Sequence, residues 1–333
     1  MALSSARAHD LIQRFPDQRI LVVGDLILDR YVTGIVDRIS PEAPVPVLLV
    51  KSESAVPGGA SNVAWNVQTL GGQGAVAGLI GDDIAGAELC DLLASKRVGV
   101  AGILVADGVS TTVKTRIVAD RQQLVRVDQE TPDGVTRQLV EQFCERLVSE
   151  VAQSSAVIIE DYGKGVVQQQ VVDVVLREAA KRGIPTGFDP KENHELNVSG
   201  ITVATPNRRE SFLAADVKDR GAVEPVEEDV DLRTVASTLY QRWKPDFLLL
   251  TLGAQGMLVV EAGAPSHYVP TRAREVFDVS GAGDTVIATC MLALAAGATP
   301  VEAAELANHA AGVVVAKSGT APCPVDELLR TLP

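Results

Sequence analysis

The sequence predicts an α/β fold: a mainly parallel central sheet covered by helices on both faces, with a small β-sheet beside it. Three observations carry this. Short apolar runs typical of fully buried strands recur along the chain and alternate with stretches of helical periodicity. Two stretches, 31–56 and 99–128, break that rhythm with β-branched residues and no helical period. The 333 residues, 46% hydrophobic and 22% charged, are enough for one large core and exclude a disordered chain.

The first strand is ILVVG at 20–24. SNVAWNVQTL, 61–70, reads as a helix capped by Ser61 or Asn62 and stopped by Gly71. A strand near 75–80 and a helix near 83–96 follow. AVIIE at 156–160 is a strand, 166–182 a helix ended by Gly183, and IPTGFD at 184–189 a strand. Asn207 opens a short helix, 231–243 forms another, and DFLLLTL at 246–252 is a strand. Two helices, roughly 283–297 and 300–317, complete the core. Within 31–56 the prolines of ISPEAPVPVLLV suit edge strands rather than central ones. Within 99–128, TTVKTRIV and QQLVRVD flank the polar turn ADRQ. Both stretches are expected to join in one β-sheet lid, although two separate surface hairpins would read the same way. No internal repeat or low-complexity segment divides the chain, so 1–333 is expected to be a single domain.

The net charge of −13 comes without a basic stripe, which argues against nucleic-acid binding. The acidic run EPVEEDVD at 224–231 reads as a solvated loop. Cys90, Cys144, Cys290 and Cys323 include no CxxC pair, so neither a zinc site nor a disulfide framework is suggested. MALSSARAHD lacks the apolar core of a signal peptide, and no apolar run reaches bilayer length. A soluble cytoplasmic protein without a membrane partner is expected. GGQGAVA at 71–77 has GxGxxA spacing, but it follows a helix and enters a strand, the reverse of a dinucleotide fingerprint. No P-loop is present, and His9, His194, His267 and His309 form no metal motif.

Chemistry points to the glycine-led helix starts. In DVSGAGDT (278–285), Gly281, Ala282 and Gly283 put free N–H groups at the start of a long apolar helix, a natural anion cradle. Taken alone, the stretch also reads as a glycine turn with Asp284 stabilising the first helical turn. PGGASN (57–62) is a second glycine-rich helix entry, where Gly58 and Gly59 permit close approach of a ligand and Asn62 offers donor and acceptor. GDLILD (24–29) puts Asp25 and Asp29 at a strand's carboxyl end, facing the crevice where α/β folds bind ligands.

DVSGAGDT joined to PGGASNVA (57–64) resembles the paired signatures of the ribokinase-like, or PfkB, carbohydrate kinases, with TPNRRE (205–210) and TLGAQG (251–256) in the family's order over roughly 20–320. The resemblance implies a ribokinase-like three-layer α/β/α sandwich and ATP-dependent phosphorylation of a sugar alcohol with Mg²⁺. It makes Asp284 the general base and Gly281, Ala282 and Gly283 the anion hole. It assigns Asn207 and Glu210 to Mg²⁺ and phosphates, although Arg208 and Arg209 between them depart from the family's small or apolar residues. Thr251, Gly253, Gly256 and Asn308 would line the nucleotide site, and Asp278 would help hold a monovalent cation such as K⁺. Asp25, Asp29, Gly58, Gly59 and Asn62 would bind sugar hydroxyls. The same resemblance implies a homodimer joined through the lids.

GDLILDRY (24–31), RISPEAPVPV (38–47) and EDYGKGV (160–166) resemble, more narrowly, the heptose 7-phosphate kinases of this family. The implied substrate is D-glycero-β-D-manno-heptose 7-phosphate, phosphorylated at C1. Lys114, Arg116, Arg121 and Arg126 of the lid, with Lys164 and Lys191, are candidates for its distal phosphate. The chain ends at Pro333 without an HxGH nucleotidyltransferase motif, so no adenylyltransferase domain is expected. Ribose, fructose or fructose 6-phosphate as substrate, and a catalytically dead sugar or nucleotide sensor, remain as alternatives. A NAD-dependent oxidoreductase has only the misplaced GxGxxA in its favour.

Overall fold

The computed structural model describes residues 3–120, 122–131, 134–192, 194–263, 266–273, 275–317 and 319–332. In chain order its strands are β1 (Arg19–Gly24), β2 (Leu26–Ile39), β3 (Pro46–Gly59), β4 (Gln73–Gly81), β5 (Gly99–Ala106), β6 (Thr112–Ala119), β7 (Gln122–Gln129), β8 (Ala156–Glu160), β9 (Thr186–Asp189), β10 (Val203–Ala204), β11 (Phe247–Thr251), β12 (Met257–Glu261) and β13 (His267–Val269). The helices are α1 (Ser5–Gln13), α2 (Ala60–Thr69), α3 (Ile84–Ser95), α4 (Arg137–Ala152), α5 (Gln169–Arg182), α6 (Arg208–Ala214), α7 (Val230–Trp243), α8 (Ala282–Ala295), α9 (Pro300–Val314) and α10 (Val325–Thr331).

Nine strands form the central sheet in the order β13-β12-β11-β10-β9-β8-β1-β4-β5. From β11 to β5 every pair is parallel, and β12 and β13 add an antiparallel edge. Side chains alternate faces along a strand, and both faces are apolar here. Ile20 and Val22 of β1 pack into one core with α1, α2, α3, α8, α9 and α10. Leu21 and Val23 pack into the other with α4, α5, α6 and α7. The three layers are those expected.

A four-stranded sheet, β3-β2-β6-β7, stands beside the carboxyl ends of the central strands. The stretch 31–56 supplies the end of β2, a turn holding Pro41 and Pro44, and most of β3, which starts at Pro46, pairs only with β2 and so sits at an edge. One boundary is corrected: 99–106 is β5, at the edge of the central sheet and paired with β4, so only 112–129 of that stretch enters the small sheet. An edge strand exposes alternate residues, so it resembles lid sequence.

A second correction concerns α2. Its cap is Gly59, not Ser61 or Asn62, which lie buried in the helix. β3 runs directly into the helix through Gly59 at φ 55°, and a Cβ there would stand 2.5 Å from the Asp25 carbonyl oxygen. Gly183 ends α5 in the left-handed conformation, as expected, although α5 starts at Gln169 rather than 166. Helices α1, α4 and α10 and strands β10, β12 and β13 were not signalled by the sequence patterns used. Among the described residues, no helix is long and apolar enough to cross a membrane.

Candidate active site

β1, β8 and β9 are neighbours, and acids sit at or just beyond the carboxyl end of each: Asp25, Glu160 and Asp189. α8 points its N-terminus at them, turned by Gly281 at φ 77°. A Cβ on Gly281 would lie 3.0 Å from Thr320 Cγ2 and 3.3 Å from Asn62 Nδ2, so glycine also clears the approach. Asp284, in the first turn, is only 7% exposed. Asn62 Nδ2 donates to its Oδ2 at 2.5 Å, and the Tyr162 hydroxyl donates to its Oδ1 at 2.9 Å. Burial raises the Asp284 carboxyl above the usual range, and those two bonds pull against the rise. Behind it Thr285 donates to Asn66 Oδ1 (2.9 Å) and Asn66 Nδ2 to the Asn62 carbonyl (3.0 Å), lacing α2 to α8.

Carboxylate oxygens of Glu160, Asp189 and Asp284 all lie within 4.8 Å of one another. Burial, and then repulsion from Asp189 and Asp284, push Glu160 well above its ordinary value; burial, and then repulsion from Glu210 and Asp284, do the same to Asp189. Thr205 donates to Asp189 at 3.0 Å, whereas Glu160 Oε2 is buried and unpartnered. Sequence reading missed Glu160, Asp189 and Tyr162 as site residues. The available signal was an acid closing each of two apolar strand runs, AVIIE and TGFD, the same signal that picked out Asp25.

The sugar-side residues divide. Asp25 is 1% exposed, and its carboxylate accepts from the backbone N–H groups of Tyr162 (2.9 Å), Lys164 (3.0 Å) and Val166 (3.1 Å). It therefore pins the 160–166 loop, and it also lines a cavity of about 370 Å³ together with Leu26, Thr131, Lys164 and Gln168. Asp29 accepts from Arg116 at 2.6 Å, and its charge is felt at Asp284. A Cβ on Gly58 would lie 2.4 Å from Asp29 Oδ2, so any other residue there would displace that carboxylate. Register sets Asp29, Lys114 and Asp128 side by side, and Tyr31, Arg116 and Arg126 likewise. The Lys114 ammonium lies 5.4 Å from the Tyr162 ring centroid, and the Arg116 guanidinium 5.3 Å from that of Tyr31. Arg126 is held by Asp128 (2.8 and 3.0 Å), Lys164 by Glu130 (2.5 Å), and Lys191 is exposed. Arg121 lies outside the described residues.

On the other side of α8's start is a cavity of about 540 Å³ whose walls include Asn207, Thr251, Gly253, Gly256, Gly283 and Asn308, with Val279, Val286 and Val315. Asn207 is bridged to Thr251 in the sheet. Asn308 donates to the Pro270 carbonyl at 2.6 Å, fixing that wall. Asn207 and Glu210 form a capping box: Asn207 Oδ1 accepts from the Glu210 N–H and Glu210 Oε2 from the Asn207 N–H, both at 2.9 Å. Their spacing thus has a local structural cause, and Glu210 itself lies outside that lining. Arg208 and Arg209 also line the cavity, Arg208 paired with Asp219 (2.9 Å) and Asp229 (3.0 Å) and Arg209 with Glu192 (3.0 Å). Asp278 accepts from the N–H groups of Ser280 and Gly319, both at 2.9 Å. Burial works to raise its pKa, but those bonds and the Arg116 charge outweigh it and leave the group below the ordinary range.

Residues 17–327 match the model of the pfkB family carbohydrate kinases. The chain belongs to that family. It is 40% identical over 321 residues to the bifunctional protein HldE of Paramagnetospirillum magneticum, a match covering 96% of this chain and 64% of that protein. The chain thus spans about two thirds of the length of such curated relatives. The fold is similar to phosphofructokinase-2 of Escherichia coli in complex with potassium, with a TM-score of 0.74 at 21% identity, covering 94% of this chain and 98% of that one. It is similar also to Arabidopsis thaliana ribokinase complexed with ribose and ATP, with a TM-score of 0.70 at 17% identity, covering 94% and 98%. The fold is ribokinase-like, as the motifs implied, and the family is one of sugar kinases, phosphotransferases acting on carbohydrates.

Proposed function

We propose that this kinase phosphorylates D-glycero-β-D-manno-heptose 7-phosphate at C1, giving the 1,7-bisphosphate of the ADP-heptose route to lipopolysaccharide core. One observation carries the choice of a phosphorylated sugar: Lys114 and Arg116 stand on the face of the small sheet opposite Tyr162 and Asp284. In a protein of net charge −13, cations gathered there suit an anionic substrate. The identity with HldE along almost the whole chain supports the same reading.

The C1 hydroxyl oxygen attacks the γ-phosphorus in line; the new O–P bond forms as the bond to the β,γ-bridging oxygen breaks, and ADP leaves. Asp284 takes the hydroxyl proton on a carboxylate oxygen. Asn62 holds that carboxylate, and Asp29, set by Gly58, holds hydroxyls on the sugar. The N–H groups following Gly281, at the start of α8, stabilise the charge growing on the phosphoryl oxygens. Glu160 and Asp189 fit a hard dication: both offer oxygen only, and Glu160 Oε2 is buried without a partner. Mg²⁺ bound there with ATP would neutralise phosphate charge. Asn207, Thr251, Gly253, Gly256 and Asn308 take the nucleotide, with Glu210 keeping Asn207 in place. Asp278, held ionised, is the acid offered to K⁺.

Ile35, Ile39, Leu49 and Val50 of β2 and β3 and Val125 and Val127 of β7 are exposed apolar residues on the small sheet, which favours a homodimer through that sheet. The kinase works on soluble metabolites, in the cytoplasm. Purified protein with ATP and Mg²⁺, presented with heptose 7-phosphate, heptose, ribose, fructose and fructose 6-phosphate, tests the reading. Heptose 7-phosphate should give the highest kcat/KM; robust turnover of ribose in its place would overturn it.

A further inference from the structure

The loop between β8 and α5 is held from two sides. Asp25 takes three of its N–H groups. Asp161, 4% exposed, accepts from the Gly163 N–H at 2.8 Å and meets His194 Nδ1 at 2.6 Å. Gly163 at φ 66° and Gly165 at φ 96° let the loop double back tightly. The result is one fixed side chain, Tyr162, aimed at Asp284.

The Tyr162 side chain meets both Asp284 and Lys114. Its hydroxyl donates to Asp284 Oδ1 at 2.9 Å while Asn62 holds Oδ2, so a donor on each oxygen fixes the plane of the carboxylate. Its ring lies under Lys114, whose ammonium makes no ion pair among the described residues. Lys114 belongs to β6 in the small sheet and Asp284 to the central layers, so Tyr162 contacts both parts of the fold.

We propose that Tyr162 is a positioning residue that couples the lid to the base: its ring seats Lys114 for the anionic end of the substrate, and its hydroxyl aims Asp284. This rests on Asp284 being the base. Docking of the substrate's charge on Lys114 and orientation of the carboxylate then become one event, so a sugar lacking that charge is turned over slowly as well as bound weakly.

Tyr162→Phe keeps the ring and removes the donor. It should lower kcat about 10- to 100-fold and leave KM for ATP and for the sugar phosphate within about twofold. Tyr162→Leu removes the seat too, and should add a rise in the sugar-phosphate KM matching that of Lys114→Met. The double variant Tyr162→Leu, Lys114→Met should cost no more in that KM than either change alone, because both remove one contact. Wild-type kcat in Tyr162→Phe overturns the aiming role, and additive KM effects overturn the coupling. Should Tyr162→Phe fail to fold, Lys114→Met decides: coupling requires kcat to fall together with the rise in KM, whereas a plain charge contact raises KM alone. If another sugar phosphate proves the better acceptor, the heptose reading alone fails and the same variants are read on it, whereas preference for an uncharged sugar overturns the coupling as well.

Discussion

Replacing Asp284 by asparagine separates chemistry from fold. The carboxylate is nearly buried and accepts one bond on each oxygen, from Asn62 and Tyr162. An asparagine keeps an acceptor for Tyr162 but turns an amide NH₂ toward Asn62. Asn62 can answer by flipping its own amide, because its Oδ1 is buried and unpartnered as it stands. One bond between residues 284 and 62 is therefore kept, and the packing cost is small. The charge is lost, however, and with it the proton acceptor. A positioned general base contributes about 10²- to 10⁴-fold, or about 3–5 kcal/mol of barrier. Turnover followed by coupled ADP release should fall by that factor, while ATP affinity measured by calorimetry stays near wild type. Stability should move the other way. Burial raises the Asp284 carboxyl, so the protonated form is favoured in the folded state and ionisation at neutral pH costs stability. Asp284→Asn should thus melt at or above the wild-type temperature at pH 8, and the advantage should shrink as pH falls toward the ordinary carboxylate range near about 4. Wild-type turnover, or loss of activity explained by unfolding, would refute the reasoning.

Other expectations follow from the same geometry. Because the base is raised by burial, the acid limb of kcat/KM should lie above the pH at which an exposed carboxylate titrates, and an acid limb near pH 4 would contradict that. Asn207→Ala removes the cap of α6 and should cost about 0.5–2 kcal/mol in chemical denaturation while weakening ATP binding; unchanged ATP affinity would restrict Asn207 to its capping role. Arg116→Ala should raise KM for the sugar phosphate and leave KM for ATP nearly unchanged, with equal shifts in both counting against a sugar-side role. Sedimentation at micromolar concentration should show a dimer, and Leu49→Glu should dissociate it; a monomeric wild type would remove the lid interface from the account.

What the sequence revealed depended on how local the cause was. The start of α8 was legible because a glycine in the left-handed region and free N–H groups are properties of a few adjacent residues. The lid hairpin was legible for the same reason: TTVKTRIV and QQLVRVD are neighbours in the chain. The loop that Asp25 holds was not legible, because its partners lie at Tyr162, Lys164 and Val166, and nothing near residue 25 announces them. Glu160, Asp189 and Asp284 converge only because β9, β8 and β1 are adjacent in the sheet and α8 points at their ends, which is a matter of topology. Likewise the diagonal contact of Arg116 with Asp29 arises because the register of β2 and β6 sets Arg116 beside Tyr31, two residues on from Asp29 and on the same face. The N-x-x-E spacing was legible as a motif and Asn207 as the opening of a helix, whereas the reciprocal bonds between Asn207 and Glu210 emerged only from the side-chain geometry at the start of α6.

The central claim is transfer of a phosphoryl group to C1 of a sugar that already carries a phosphate. Phosphorus NMR of the product mixture tests it most directly. Incubation of the purified protein with ATP, Mg²⁺ and D-glycero-β-D-manno-heptose 7-phosphate should produce a new anomeric phosphate signal coupled to H1, beside the retained C7 phosphate and stoichiometric ADP. Unphosphorylated heptose should give that signal far more slowly. Equal rates on the two sugars, or a new phosphate at a carbon other than C1, would contradict the account.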